Sequence, residues 1–145
     1  MGLIYAEIEL INSWELETAR KQMMDPDEVK RTFVTMLVDT GAVYLSINES
    51  IQERLQLPVV GSKNFELADG RVVKYEVVGP VEVRFGNRQT HCEAIVLPGN
   101  SEPLLGAIPM EGMDVIIDAA GQELVTHPDH PAMAQLKLKY ARLLD

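Results

Sequence analysis

The sequence predicts an all-β domain, mainly β with one or two short helices, from three observations. Short segments that alternate apolar and polar residues recur along the chain, and Gly, Pro, Asn and Asp separate them. The segments do not follow the strand–helix–strand rhythm of a parallel sheet. The length of 145 residues fits one domain that can bury a core without metal or disulfide. We therefore expect one small closed β domain over residues 1–145.

The composition argues against several classes of partner. The formal net charge of −9 repels phosphate backbones, and Lys and Arg are scattered, so we expect no nucleic-acid partner. We expect no membrane partner, because no apolar run approaches a membrane span and the N-terminus lacks a signal sequence. Cys92 is the single cysteine, which rules out an intrachain disulfide and favours a reducing compartment. We expect a cytoplasmic location.

The N-terminal part of the chain predicts two strands. Residues 3–11 alternate apolar and polar side chains from Ala6 onward, which places Ile8 and Leu10 on one face of a strand. Residues 29–38 are rich in apolar and β-branched side chains and predict a second strand that ends at Asp39.

A polar insertion, residues 12–28, separates these strands and is expected on the surface. It has two readings. Asn12 or Ser13 can cap a short helix, or the segment is a loop that residues 25–27, Asp-Pro-Asp, close.

The part of the chain after Asp39 predicts one short strand and one short helix. Residues 44–47 have strand character. Asn48 or Ser50 can cap a helix over residues 51–55, and Pro58 ends it.

The middle of the chain predicts two hairpins. Residues 64–78 alternate in polarity and are interrupted by Asp69-Gly70, a strong signal for a two-residue turn with positive φ. Gly79-Pro80 is expected to separate this hairpin from the next one. Residues 81–97 predict the second hairpin, which turns at Gly86-Asn87.

The C-terminal part predicts a glycine-ended apolar step and several short elements. Residues 104–106, Leu-Leu-Gly, precede a short helix candidate over residues 107–112. Residues 114–126 predict two strands joined by a turn. Residues 127–145 are expected to form a C-terminal extension, in which the alternation of residues 134–140 favours a strand over a helix.

Residues 36–42, Met-Leu-Val-Asp-Thr-Gly-Ala, place a carboxylate at the end of an apolar strand. An ionised carboxylate at such a position needs donors or a partner, because burying it alone costs several kcal/mol. The hydroxyl of Thr40 and the backbone N–H groups near Gly41 can supply them. Asp-Thr-Gly by itself also fits an ordinary exit from a strand into a turn.

Three segments, in the order in which they follow each other, resemble those of the retropepsin-like aspartic proteases, which are single-domain proteases of the retroviral type. The resemblance is to a bacterial-type member of that family. The three segments are residues 37–42, the hairpin around residues 69–70, and residues 104–106, and the resemblance covers residues 3–125. It implies a closed β barrel in which each chain is one half-pepsin-like lobe. It also implies a homodimer that cleaves peptide substrates without a cofactor.

The resemblance assigns roles to individual residues. Asp39 matches the catalytic aspartate. Thr40 matches the hydroxyl that grips its counterpart across a two-fold axis. Gly41 matches the residue that lets the substrate backbone approach, and Ala42 lies beside it. The hairpin would be a flap, and its substrate-facing residues are Leu67, Ala68, Asp69, Gly70 and Arg71. Leu104, Leu105 and Gly106 match the family's supporting loop, which packs behind the catalytic loop.

The chemistry requires two chains. One carboxylate cannot act as base and acid in the same turnover, and Asp39 stands in the single Asp-Thr-Gly of the chain. The sequence therefore predicts an isologous homodimer with a shared active site. The alternative is a catalytically silent retropepsin-like domain that binds peptides or only dimerises, because fold does not prove activity.

Two features depart from the retroviral pattern. Val43 and Ala107 occupy the places of an Asp and an Arg that lie near the dimer interface in retroviral members. Both charges are absent together, so neither is left as an unpaired ion. The hairpin tip, residues 68–71, is charged where retroviral flaps are glycine-rich and apolar, so substrate preference does not transfer.

Two other pairs of residues are candidates for chemistry. His91 and Cys92 resemble a base and a nucleophile, but neighbours on a strand point to opposite faces. His127 and His130 have a spacing that metal sites use, but they lie among prolines and favour a polar loop. The sequence predicts no metal and no cofactor.

Overall fold

The computed structural model describes residues 2–138 and is mainly β, as predicted. Its strands are β1 (Tyr5–Asn12), β2 (Arg31–Val38), β3 (Leu45–Asn48), β4 (Val59–Glu66), β5 (Val72–Phe85), β6 (Arg88–Leu97), β7 (Leu104–Leu105), β8 (Val115–Asp118) and β9 (Glu123–Thr126). Its helices are α1 (Ser13–Arg20), α2 (Glu49–Leu55) and α3 (Ala107–Met113), with a 3-10 turn at Pro26–Glu28. The described residues therefore contain three α-helices, more than the one or two predicted, because the inserted segment also forms one.

Seven of the strands form one sheet in the order β1-β2-β7-β3-β6-β5-β4. β1 also pairs with β5, so the hydrogen-bonded pairings run in a ring through β1, β2, β7, β3, β6 and β5. β4 pairs with β5 outside this ring, and β8 pairs with β9 in a separate two-stranded sheet. The β4–β5 and β5–β6 connections are the two predicted hairpins.

The core lies inside the ring. β1 shows how the sequence builds it, because alternate residues Ala6, Ile8 and Leu10 are buried while the residues between them are more exposed. The fully enclosed apolar side chains include Ile8, Leu10, Met36, Leu45, Ile47, Leu55, Val78, Val81, Val83, Ala94, Leu105 and Met113.

The insertion at residues 12–28 forms a helix rather than a plain loop. The Asn12 side chain caps α1 by accepting a hydrogen bond from the Glu15 N–H at 3.0 Å. The same side chain donates to the carbonyl oxygen of Leu55 at 2.9 Å, at the end of α2. One buried amide therefore joins β1, α1 and α2.

Gly79-Pro80 does not divide the chain as predicted. Strand β5 continues through it, and a register shift between Val78 and Val81 absorbs the irregularity. The strand continues because both its halves have partners: β4 and β6 before the shift, and β1 and β6 after it.

The strand predicted over residues 134–140 is absent from the described part of that segment, which ends at Leu138. The Gln135 N–H donates to the side chain of Asp114 instead of a neighbouring strand. The rest of the predicted extension, residues 139–145, lies outside the described residues.

Candidate active site

Asp39 follows β2 directly and is held through its backbone. Its N–H donates to the carbonyl oxygen of Leu105 at 3.0 Å, and its carbonyl oxygen accepts from the Ala42 N–H at 3.1 Å. The first bond continues the parallel pairing of Leu37 and Val38 with β7. The end of β2 and the supporting loop therefore set the position of Asp39 together.

The carboxylate of Asp39 is half-buried, and its Oδ1 accepts a hydrogen bond from the Gly41 N–H at 2.9 Å. A Cβ at Gly41 would lie 3.2 Å from this oxygen, which is a crowded distance. Thr40 and Gly41 are exposed. Within residues 2–138 the Thr40 hydroxyl makes no hydrogen bond, so the loop's donor to Asp39 is the backbone at Gly41, one of the two predicted sources.

Gly106 is where the supporting loop passes closest to the Asp39 loop. A Cβ there would lie 2.4 Å from the carbonyl oxygen of Tyr44 and 2.8 Å from that of Ala42. The backbone continues this contact, because the N–H groups of Ala107 and Ile108 each donate at 2.9 Å, to the carbonyl oxygens of Ala42 and Val43. Only glycine fits at this crossing.

A surface depression lies beside Asp39 and is mostly apolar. It is lined by Gly2, Leu3, Ile4, Leu37, Val38, Asp39, Thr40 and Ile117. Leu3 is largely exposed, although the neighbouring Ile4 is buried. The carboxylate therefore lies at the edge of an apolar surface that the single chain leaves uncovered.

The β4–β5 hairpin has its tip at residues 67–71, as predicted, but its turn is longer than predicted. The Leu67 N–H donates to the carbonyl oxygen of Arg71 at 2.8 Å, so three residues rather than two form the loop. Gly70 alone in this loop has positive φ, at +88°. Because Asp69 keeps a negative φ, a two-residue turn with both central residues in the left-handed region does not form.

The tip carries an ion pair in solvent. Arg71 Nε lies 2.7 Å from Asp69 Oδ2, and the Arg71 N–H donates to Asp69 Oδ1 at 3.0 Å. The backbone N–H of Arg71, and then its side chain, hold the pKa of Asp69 below the ordinary value. The charged tip stays in water in the single chain.

The strands of the hairpin, close to its tip, contact Tyr44 beside the Asp39 loop through aromatic rings, which the sequence analysis did not find. The Phe65 ring packs edge-on against Tyr44 with centroids 5.8 Å apart and lies 5.9 Å from the Tyr75 ring. Lys63 Nζ lies 6.0 Å from the centre of the Tyr44 ring. The sequence feature that could have indicated this contact is the spacing of Lys63 and Phe65, because residues two apart on a strand face the same side.

His91 and Cys92 do not form a catalytic pair, in agreement with the sequence analysis. His91 Nε2 lies 2.7 Å from Oε1 of the buried Glu82. Burial, with a smaller contribution from Glu93, raises the pKa of the Cys92 thiol to about 12. A thiol with this pKa stays protonated at neutral pH and is a poor nucleophile.

His127 and His130 lie close together, and Asp114 joins them. One potential ligand atom from each of the three residues lies within 4.8 Å of the others. The sequence analysis did not include Asp114, although the hairpin predicted over residues 114–126 brings Asp114 and His127 together at its open end. This cluster does not contain Asp39.

A family model described as aspartyl protease matches residues 28–108. The chain belongs to the aspartyl protease family. The matched range contains the Asp39 loop, the hairpin and the supporting loop, and it confirms the resemblance inferred from the sequence. Comparison with curated proteins gives no match. Among the described residues, no helix combines the length and apolar character needed to cross a membrane.

Proposed function

We propose that the protein is a homodimeric aspartic endopeptidase in which two copies of Asp39 activate a water molecule. The observation that carries this proposal is the partly exposed Asp39 carboxylate, held by the Gly41 N–H at 2.9 Å on a loop that Leu105 fixes. The match to the aspartyl protease family supports it. The substrate would be a peptide or protein segment.

The proposed reaction needs one ionised and one protonated Asp39. The ionised carboxylate takes a proton from water as the water oxygen adds to the peptide carbonyl carbon, and the other Asp39 gives its proton to the carbonyl oxygen. The tetrahedral intermediate then collapses and the C–N bond breaks. The leaving nitrogen takes the proton that the first carboxylate received from water, and a hydroxyl of the intermediate returns a proton to the other Asp39, which restores the starting state. Like charges about 3 Å apart repel each other, which favours the state with one proton shared between the two carboxyl groups.

The dimer would bring the two Asp39 loops together at a two-fold axis. The exposed Thr40 hydroxyl makes no hydrogen bond within residues 2–138 and would bond its counterpart in the proposed dimer. The ring of strand pairings supports the closed barrel implied by the resemblance, and the β4–β5 hairpin would be the flap. A contribution of residues 127–145 to the interface belongs to this proposal, and a cytoplasmic location stays a prediction.

Asp39→Asn tests this proposal. The substitution keeps the volume and the oxygen that accepts from the Gly41 N–H but removes the acid and base, so we expect loss of peptide cleavage with an unchanged fold. Activity of the wild type should be highest at acid pH and blocked by a statine-type transition-state mimic. Asp27→Asn is the matched control, because Asp27 is an exposed carboxylate on the inserted segment.

The silent peptide-binding domain is the second candidate. It is favoured by the neutral Val43 and Ala107, which replace the charged pair of retroviral members. Cleavage by Asp39→Asn at the wild-type rate would overturn the dyad proposal. Inhibitor binding by a dimer that never cleaves peptides would favour the silent domain.

A further inference from the structure

Asp114, His127 and His130 converge from two segments of the chain. Asp114 ends α3, His127 follows β9, and His130 lies one turn further on. The His127 N–H donates to the carbonyl oxygen of Asp114 at 3.1 Å, and the His130 N–H donates to that of His127 at 3.0 Å. Backbone hydrogen bonds therefore hold all three residues in one place.

The side chains of this cluster lie against each other. The two imidazole rings stack with centroids 4.4 Å apart and planes inclined by 25°. His130 Nδ1 lies 2.7 Å from Asp114 Oδ2. The side chains of His130 and Asp114 are 21% and 12% exposed, so solvent and a small ion reach the cluster.

We propose that Asp114, His127 and His130 bind a divalent transition-metal ion of the zinc class. Two imidazole nitrogens and one carboxylate oxygen are a donor set that Zn²⁺ uses with a water in the fourth position. Ca²⁺ and Mg²⁺ prefer oxygen donors, so nitrogen donors select against them. Ligand atoms within 4.8 Å of one another reach a common ion through small side-chain rotations.

The ion would replace existing hydrogen bonds, and this limits its affinity. His127 Nδ1 accepts from the Asp129 N–H at 3.1 Å, and His130 Nδ1 is paired with Asp114. The buried guanidinium of Arg88 adds an unfavourable charge, because its Nη2 lies 4.0 Å from Asp114 Oδ2. We therefore expect micromolar affinity, weaker than that of a structural zinc site.

The site would fasten the C-terminal segment to the domain. The Gln135 N–H donates to Asp114 Oδ2 at 2.9 Å, and Arg88 donates to the carbonyl oxygen of His130. Asn87 adds a hydrogen bond to the carbonyl oxygen of Pro131 at 3.0 Å. An ion bound by the three side chains would add metal–ligand bonds between this segment and the end of α3.

Titration of untagged, metal-stripped protein with Zn²⁺ and Co²⁺ tests the proposal. We expect one ion per chain by calorimetry and a visible Co²⁺ absorption band from nitrogen and oxygen ligands. His130→Gln and Asp114→Asn should each weaken binding about tenfold or more. Asp114 has φ of +55°, a conformation that asparagine tolerates, so Asp114→Asn keeps the backbone geometry.

His91→Gln is the matched control, because the chain has three histidines and His91 is the one outside the cluster. It should bind the ions as the wild type does. Absence of saturable binding at a hundredfold excess of metal, or loss of binding in His91→Gln alone, would overturn the site. If circular dichroism shows that one of the other variants is misfolded, His127→Gln is used in its place. Metal binding by His127→Gln at the wild-type affinity would also overturn the site.

Discussion

Gly106 controls the distance between the two loops that hold Asp39. Its neighbours across the contact are backbone carbonyl oxygens, and these cannot turn away as the end of a flexible side chain can. Its φ is negative, so crowding rather than backbone conformation requires glycine here. A single methyl group at this position would push the supporting loop away from the Asp39 loop.

Gly106→Ala should destabilise the fold by about 3 kcal/mol, because overpacking of this kind forces backbone shifts. The shift in the urea midpoint measures the loss. Gly61→Ala is the control: its Cβ meets no atom within 4 Å, so its midpoint should stay close to that of the wild type. Equal midpoints for both variants would contradict the crowding at Gly106.

Cys92 should make the free energy of unfolding depend on pH in the alkaline range. Its pKa is about 12 in the fold against 9.0 in the unfolded chain, so the fold favours the protonated thiol. The contribution of the Cys92 thiol to the free energy of unfolding is complete below pH 9 and is lost as pH rises toward 12. The reason is that the unfolded chain releases the thiol proton at lower pH than the fold does.

Urea denaturation between pH 8 and the alkaline limit of the fold measures this dependence. Cys92→Ala should lose less stability over that range than the wild type, because it lacks the titrating thiol. Ellman's reagent should also label native Cys92 slowly at pH 8 and unfolded Cys92 rapidly. Parallel pH curves for the two proteins would rule out the thiol as the cause.

At the scale of elements, the β4–β5 hairpin combines packed strand ends with an exposed tip. Phe65 lies two residues before the tip and packs against Tyr44 and Tyr75, while residues 69–71 are exposed. These aromatic contacts join the strand ends of the hairpin to the segment that follows the Asp39 loop. The tip has few buried contacts, which is typical of segments that open locally.

Gly70→Val should slow peptide cleavage more than it lowers the free energy of unfolding. Gly70 has φ of +88°, which strains a β-branched residue, although no atom lies within 4 Å of its Cβ position. The turn would rearrange without a steric clash, so the effect falls on closure over substrate. The ratio of kcat/KM values, set beside the urea midpoints, measures the difference.

Amide exchange on the free protein provides the independent check on the hairpin. Residues 67–72 should exchange faster than the strand Arg31–Val38. Equal protection in the two segments would contradict a mobile flap and favour the silent peptide-binding domain.

At the scale of the whole molecule, the single chain presents an incomplete site. Asp39 lies beside an apolar depression that includes the exposed Leu3, and the exposed Thr40 and Gly41 lie on the same loop. Covering this surface with a second copy would bury the apolar side chains and place two carboxylates together. The proposed activity is therefore a property of two chains.

Mixing wild-type protein with an equal amount of Asp39→Asn should reduce activity below the value expected from dilution. Random exchange leaves about a quarter of the dimers with two intact Asp39 residues, so activity should approach about a quarter of that of the same total amount of wild type. Peptide cleavage after exchange, with dimer content measured by sedimentation, provides the measurement. Activity at half would show that each chain works alone.

The sequence by itself determined most of the strands, the positions of the two hairpin tips, the motif at Asp39 and the family. These depend on local properties, namely alternation of side chains, turn residues and short motifs, which neighbouring positions display. It did not predict the continuity of β5, because that depends on partners supplied by β1, β4 and β6.

Only the tertiary structure decided which distant groups meet. The contact of Gly106 with Tyr44 and Ala42 joins residues far apart in sequence. The approach of Asp114 to His127 is different, because it continues the predicted hairpin of residues 114–126, in which Val115 pairs with Thr126. No local pattern records the Gly106 contact, because it results from the pairing of β7 with β2 and β3.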